Sequence, residues 1–199
     1  YLAVLDALHD SPIRFVICRQ EGGAAMMAEA YGKLTGRPGV ALVTRGPGAT
    51  NAAAGVHIAR QDSTPMLLFI GQVAREMRWR EAFQEIDYRR MYGEMAKWVT
   101  QIEDARRIPE IVSQAFHRAV NGRPGPVVLI IPRDAGEYDE DEHPYTPVKR
   151  WRSGPDPEDV KAAIGALLSA RSPLIYAGEG VLYADATEEL KQFAELAQV

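Results

Sequence analysis

The sequence lacks the features that define several large classes of protein. Cys18 is its single cysteine, which excludes an internal disulfide framework and is typical of a reducing compartment. No apolar run reaches the roughly 18 residues that a membrane span needs, and the first ten residues contain acids but no basic segment of a signal peptide. The formal charge of −4 indicates no basic face for nucleic acid or an anionic membrane. We therefore expect a cytoplasmic protein that binds neither.

What is present is the balance of an ordinary globular protein. Hydrophobic residues make up 46% and charged residues 25% of the 199 residues. This length fits one large domain, or one domain and part of another. The chain starts at Tyr1, within a helical pattern, rather than at a methionine. We therefore expect a piece of a longer polypeptide.

Short apolar runs alternate with helical patterns along most of the chain. The predicted strands are residues 15–18, 40–44, 66–70, 97–101 and 127–131, and the predicted helices are residues 22–34, 47–60 and 104–120. Fully apolar strands that alternate with helices are typical of an α/β fold, with a mostly parallel sheet covered by helices on both faces.

The later part of the chain has a different composition. Residues 132–157 are rich in proline and acidic side chains, which predicts a linker. The acidic run at 137–142 lacks the glycine and the spacing of a calcium-binding loop, so we interpret it as part of that linker. Beyond it, a helix at 156–170, a strand at 174–177 and a helix at 185–196 predict the start of a second α/β unit.

Glu21 is the first candidate functional residue, because ligands of open parallel sheets bind beyond the carboxyl ends of the strands. It directly precedes a helix of small residues that can pack closely, so we expect its side chain to be largely buried. Burial raises the pKa of a carboxyl group and a helix dipole lowers it, which leaves the net sign open. A buried, protonated Glu21 would donate a hydrogen bond to a basic ring nitrogen. The alternative is a capping residue at an exposed helix start.

The second candidate is the turn Gly46-Pro47-Gly48, whose glycines allow a tight bend and a close approach to a ligand. The turn is not a dinucleotide fingerprint, because Asn51 occupies the position of the third glycine, and no Gly-Lys-Ser/Thr of a P-loop follows. On its own it also fits an ordinary strand-to-helix connection, with Thr50 or Asn51 as the helix cap.

Other reactive side chains give weaker signals. The 4 histidines do not have the spacing of metal ligands, so we expect no metal site in this chain. Cys18 follows an apolar run and is interpreted as a core thiol. Trp79, Phe83 and Tyr88 lie in a polar loop, where they either line a site or anchor the loop.

Five segments, in order, resemble the pyrimidine-binding domain of thiamine-diphosphate enzymes, above all acetolactate synthase and its relatives. They are CRQEGGAAMMAEAYGKLTG (18–36), GVALVTRGPGATNAAAGV (39–56), DSTPMLLFIGQV (62–73), EAFQEID (81–87) and GRPGPVVLIIPRD (122–134). The segment SPLIYAGEGV resembles the opening of the family's central domain. The resemblance implies a pyrimidine-binding domain at 1–133 that lacks its first strand, a linker at 134–155, and the truncated beginning of the central domain at 156–199.

The resemblance also implies a chemistry. In the family, the acid that matches Glu21 hydrogen-bonds the ring nitrogen of the cofactor's aminopyrimidine and favours its imino tautomer. The cofactor, thiamine diphosphate, is the electron sink after a 2-keto acid loses carbon dioxide, and the remaining two-carbon unit passes to a second carbonyl compound. The turn residues Gly46, Gly48 and Asn51 match the loop that packs near the cofactor.

Further residues match positions near the substrate or a second cofactor. Gln72 matches a position at the cofactor and the substrate, and Phe83 and Gln84 match positions that face the active site. Gln20 stands where the family usually has a histidine near the substrate. Arg123 matches an arginine that touches flavin in the members that carry FAD, and its turn also serves simply to start a strand.

The resemblance covers only half of the family's cofactor site. The Gly-Asp-Gly motif that holds Mg²⁺ and the diphosphate does not occur in this chain, and in the family it lies on another domain of the partner subunit. The resemblance therefore implies a homodimer or homotetramer, with this chain supplying the aminopyrimidine half and being inactive alone. The alternative from another class is a non-catalytic α/β binding or regulatory module.

Overall fold

The computed structural model describes residues 1–136 and 141–199, which form two compact units, Tyr1–Arg150 and Trp151–Val199. Most of the acidic run at 137–142 lies outside the described residues, so its interpretation as a linker stays a prediction. The described helices include none whose length and hydropathy would suit a membrane span.

The first unit alternates helices and strands. In chain order they are α1 (Leu2–His9), α2 (Glu21–Thr35), β1 (Gly39–Val43), α3 (Pro47–Gln61), β2 (Met66–Gln72), α4 (Tyr88–Tyr92), β3 (Trp98–Gln101), α5 (Ile108–Val120) and β4 (Pro126–Pro132), with 3-10 turns at Arg75–Met77 and Ala105–Arg107. These elements confirm most of the predicted boundaries to within a few residues.

The strands form one parallel sheet in the order β1-β2-β4-β3, which confirms the α/β class. Alternate residues of β2 enter different cores. Met66, Leu68 and Ile70 pack on one face with residues of α2, α3 and α4, whereas Leu67 packs on the other face with residues of α5. Because all strands run the same way, their carboxyl ends meet at one edge, where the first residues of α2 and α3 also lie.

Small side chains set the distance between α2 and α3. Ala25 and Ala52 are fully buried between these helices and the sheet. A Cβ on Gly55 would lie 2.6 Å from the Cβ of Ala25, closer than real side chains approach. Only glycine at position 55 therefore allows the contact that holds the start of α2 beside α3.

Two predicted strands are wrong. Residues 15–18 and residues 174–177 form no strand, although both runs are apolar and β-favouring. A strand persists only where a neighbour accepts and donates its backbone hydrogen bonds, and among the described residues neither run has such a neighbour. Their side chains are correspondingly open to solvent: Ile17 is 84% exposed and Tyr176 is 97% exposed.

The second unit is helical in its described residues. Its elements are α6 (Pro157–Ser169), α7 (Gly180–Tyr183) and α8 (Thr187–Ala197). The side chain of Asp156 caps α6 by accepting a hydrogen bond from the backbone N–H of Glu158 at 2.8 Å. The two longer helices confirm the predicted ones, and α7 lies between the run at 174–177 and α8.

Candidate active site at the carboxyl edge of the sheet

Glu21 is the first residue of α2, and the residue that caps this helix is Gln20. The Oε1 atom of Gln20 accepts a hydrogen bond from the backbone N–H of Gly23 at 2.7 Å. The interpretation of Glu21 as the capping residue is therefore wrong. The expectation that Glu21 is largely buried is also wrong in this chain, where its side chain is partly exposed.

The side chain of Asn51 holds the carboxylate of Glu21. The Nδ2 atom of Asn51 donates a hydrogen bond to Oε2 of Glu21 over 3.1 Å. This bond is the main cause that lowers the pKa of Glu21 below its ordinary value, and the backbone N–H of Glu21 acts in the same direction. The sequence left open whether the pKa of Glu21 is raised or lowered. It is lowered, because hydrogen bonding to the charged form outweighs desolvation.

The glycine turn after β1 needs glycine at its first position. Gly46 caps α3 with φ 63°, in the left-handed region. A Cβ there would lie 2.6 Å from the Cβ of Gln84. Neither of the predicted caps has this role: the Oγ1 of Thr50 donates to the carbonyl of Gly46 at 3.1 Å, and Asn51 lies inside the helix.

Gly48 leaves one face of the Glu21 carboxyl group open. A Cβ on Gly48 would lie 2.8 Å from Cγ2 of Thr44 and 3.4 Å from Oε1 of Glu21. Glycine at position 48 therefore leaves beside Oε1 the room that a Cβ would occupy. Of the predicted residues, the structure brings Glu21, Gly46, Gly48 and Asn51 together at this edge.

Two buried tyrosines of α4 support this turn. Tyr88 was predicted to lie in a polar loop but begins this helix, and Tyr92 was not singled out by the sequence. The hydroxyl oxygen of Tyr88 accepts a hydrogen bond from the backbone N–H of Gly46 at 2.7 Å. The hydroxyl of Tyr92 donates to the carbonyl of Ala49. Both rings are almost completely buried, and burial raises the pKa of both phenols. Their spacing of four residues on one helical face was the available signal, because buried tyrosine hydroxyls need partners.

Gln72 lies at the end of β2, but its amide is already occupied. Its Nε2 donates to the carbonyl of Ile86 at 2.8 Å, and its Oε1 accepts from the backbone N–H of Val73 at 3.0 Å. The side chain is 2% exposed. In this chain Gln72 therefore joins β2 to the loop at 73–87, and its role toward a ligand stays a prediction.

The loop at 73–87 presents aromatic side chains to solvent. Trp79 and Phe83 are 76% and 77% exposed, so neither anchors the loop. A backbone group holds this part of the loop instead: the carbonyl of Phe83 accepts a hydrogen bond from Nε of Arg45 at 3.1 Å. Gln84 is in the left-handed region with φ 64° and packs on Gly46. That Phe83 and Gln84 line a site stays a prediction.

Glu85 organises the same loop from inside. Its carboxylate accepts hydrogen bonds from the backbone N–H groups of Trp79 at 2.8 Å and Ala82 at 3.2 Å, and from Nε of Arg78 at 3.0 Å. The backbone bond from Trp79 is the largest cause of its pKa being lowered. With side chains only 10% and 16% exposed, the Glu85–Arg78 ion pair is shielded from water.

Arg123 lies apart from the cluster around Glu21. Arg123 precedes β4 and thus lies at the opposite, amino-terminal edge of the sheet, where Nε donates to Oγ of Ser63 at 2.7 Å. The structure does not bring it to Glu21.

Cys18 is partly exposed, whereas the sequence predicted a thiol buried in the core. Its Sγ lies 3.8 Å from Sδ of Met27. Within residues 1–136 and 141–199, no three His, Cys, Asp or Glu residues are grouped so that they could hold a metal ion.

The chain matches known proteins along its whole length. Residues 1–91 match the family model described as thiamine pyrophosphate enzyme, N-terminal TPP binding domain. The chain is 40% identical to the probable acetolactate synthase large subunit of Methanococcus aeolicus, over 100% of this chain and 34% of the relative. It is 39% identical to the acetolactate synthase large subunit of Corynebacterium glutamicum, over 98% of this chain and 32% of the relative. It is 37% identical to the acetolactate synthase isozyme 2 large subunit of Escherichia coli, over 96% of this chain and 35% of the relative.

The match of residues 1–91 and the parallel α/β fold are both consistent with the N-terminal, pyrimidine-binding domain of thiamine-diphosphate enzymes. Within that class, the chain is similar over almost its whole length to acetolactate synthase large subunits. It spans about a third of the length of the curated relatives it matches.

Proposed function

We propose that the whole protein is a thiamine-diphosphate-dependent enzyme that decarboxylates a 2-keto acid and transfers the two-carbon unit, as the names of its relatives suggest. This chain supplies the aminopyrimidine half of the cofactor site. The observation that carries the proposal is the carboxyl group of Glu21, which has one oxygen bound by Asn51 and the other beside Gly48.

These residues fit the pyrimidine end of the cofactor. The open oxygen of Glu21 suits a hydrogen bond with a basic ring nitrogen, and the glycine turn is a cradle that a Cβ at Gly48 would partly fill. When bound, the cofactor supplies the electron sink for decarboxylation. Glu21 shares a proton with the ring nitrogen, and an acid in this position needs a site from which water is excluded. In this chain alone Glu21 is partly exposed, so covering it falls to another part of the protein or to a partner subunit.

The second half of the site belongs, in this proposal, to another domain of a partner subunit, which binds Mg²⁺ and the diphosphate. A homodimer or homotetramer is supported by apolar side chains exposed on the first unit, among them Ile17, Met27 and Tyr31, which are 84%, 55% and 48% exposed. A cytoplasmic location rests on the single cysteine. FAD is an optional cofactor, for which Arg123 is the matching residue; its guanidinium donates to Ser63 and to the carbonyls of Arg60 and Gln61.

Calorimetric titration of thiamine diphosphate with Mg²⁺ into the full-length protein, with product analysis from pyruvate, tests the proposal. Glu21→Gln keeps the shape of the side chain but cannot give up a proton. We expect it to bind the cofactor and to lose about 10²- to 10⁴-fold in turnover, the usual contribution of a positioned acid or base. Cofactor binding without turnover in the wild-type protein would favour the non-catalytic binding module. No cofactor binding would reject the proposal.

The shared site is tested separately by sedimentation of the active full-length protein. We expect a dimer or tetramer, because each site needs residues of two subunits. A monomer with full activity would contradict this assembly.

A further inference from the structure

The hydrogen bond between Asn51 and Glu21 distinguishes the two oxygens of one carboxyl group. The Nδ2 group of Asn51 can only donate, so Oε2 of Glu21, which it contacts, must act as an acceptor. The other oxygen, Oε1, faces Gly48, where no Cβ occupies the space. Asn51 therefore holds Oε2, whereas Oε1 accepts no side-chain hydrogen bond from the described residues and is the oxygen left for a ligand.

Backbone contacts keep Asn51 in place to do this. Its carbonyl oxygen would lie 2.9 Å from a Cβ on Gly22, so α2 and α3 touch directly beside Glu21. The turn before Asn51 is held by the hydroxyls of Tyr88 and Tyr92, which bond backbone groups of Gly46 and Ala49. The position of Asn51 relative to Glu21 is thus set by the packing of two helices rather than by a flexible loop.

We propose that Asn51 is a positioning residue that reserves Oε2 of Glu21 as an acceptor, so that Oε1 is the atom that shares a proton with the basic ring nitrogen. This inference rests on the proposed function. It changes the predicted role of Asn51, which acts through Glu21 instead of contacting the cofactor itself. Without Asn51 no side chain fixes the carboxyl group, which then presents either oxygen, in a geometry that no longer matches the ring.

The direct test follows the Glu21 carboxyl carbon by ¹³C NMR in the full-length protein labelled at glutamate Cδ. The signal is assigned by its loss in Glu21→Gln. Removal of the amide donor in Asn51→Ala should raise the pKa of Glu21. The replacement Asn51→Asp should raise it further, because a second carboxylate there repels the first. Alanine is a stronger helix former than asparagine, so Asn51→Ala should fold.

Gln114→Ala is the matched control. It removes another amide-to-carboxylate bond, from Nε2 of Gln114 to Oε1 of Glu110 at 3.0 Å, on α5. We expect it to leave the pKa of Glu21 and the turnover unchanged.

The second readout is the response to thiamine diphosphate with Mg²⁺. In the wild-type protein the Glu21 signal should shift on binding. In Asn51→Ala the shift should shrink, with kcat about 10- to 100-fold lower, as for a misplaced catalytic group, and with the Kd of the cofactor changed much less. An identical Glu21 pKa in the wild-type protein and Asn51→Ala overturns the inference, as does an unchanged shift and kcat. If the wild-type protein shows neither a shift nor a heat of binding, the proposed function itself fails.

Discussion

The carboxyl edge of the sheet has two sides that are built differently. On the β1 side, Asn51 is the one side-chain partner of Glu21 among the described residues, and Asn51 is itself exposed. On the β2 side, the polar atoms of Gln72 and Glu85 are bound to backbone groups of the loop at 73–87. The β2 side, called the closed side below, uses its polar groups to bind its own backbone. The β1 side, called the open side, leaves the Oε1 atom of Glu21 for a ligand. Substitutions on the closed side should therefore reduce stability, and those on the open side should change binding.

The largest expected loss of stability is that of Glu85→Ala. The substitution leaves Arg78 without its carboxylate and two loop N–H groups without acceptors. We expect the free energy of unfolding to fall by about 3 kcal/mol, measured by denaturant titration. Its control is Glu110→Ala, which removes an exposed partner of Arg107 and should have little effect. Equal losses in the two variants would mean that the buried pair does not organise the loop.

Tyr88→Phe should have the next largest effect. The backbone N–H of Gly46 then loses its acceptor in a buried position. We expect about 1–3 kcal/mol of destabilisation in thermal or chemical unfolding. The control Tyr176→Phe, at a ring 97% exposed, should be neutral. A neutral Tyr88→Phe would show that the turn does not need this bond.

The pH dependence of stability should differ between the two sides. The pKa of Glu85 is lower in the folded chain than in the unfolded one. Its contribution is therefore complete above the unfolded value of about 4.3 and is lost as the pH falls through the folded value. The stability difference between the wild-type protein and Glu85→Gln should shrink between about pH 5 and pH 2. Glu21→Gln should show the same trend with a smaller amplitude, because Glu21 is partly exposed. A larger amplitude for Glu21 would reverse the comparison.

Gly48→Ala should have the smallest effect on stability and a clear effect on binding. The new Cβ crowds the methyl group of Thr44 and the open oxygen of Glu21. Because alanine favours the helix, we expect a net change within about 1 kcal/mol, with weaker calorimetric binding of thiamine diphosphate. Gly165→Ala, where the added Cβ meets no atom within 4 Å, is the control that should leave binding unchanged. Unaltered affinity in Gly48→Ala would mean that the space beside Oε1 is not used.

The local patterns predicted most of the fold. Helix α5 and strand β4 follow from a helical apolar stripe and a fully apolar run, and both formed close to the predicted bounds. The runs at 15–18 and 174–177 have the same β-favouring composition and formed no strand. A helix satisfies its backbone within its own residues, but a strand depends on a neighbour, and the sequence of one run does not say whether that neighbour exists.

The site was predicted only in part, because some of its contacts also depend on residues that are distant along the chain. Strand ends followed by a glutamate or by glycines marked Glu21, Gly46, Gly48 and Asn51, which the structure brings together. The supporting hydroxyls of Tyr88 and Tyr92 come from a helix about 40 residues further along the chain. No local pattern says which backbone atoms such hydroxyls meet.

The sequence by itself determined the α/β class, the similarity to acetolactate synthases and the residue types at the strand ends, because these depend on short-range periodicity and on motifs read in order. Only the tertiary structure decided that Asn51 lowers the pKa of Glu21 and that Arg123 lies at the far edge of the sheet. A hydrogen bond requires two atoms within about 3 Å, and for residues distant along the chain that separation is set by helix packing and strand order.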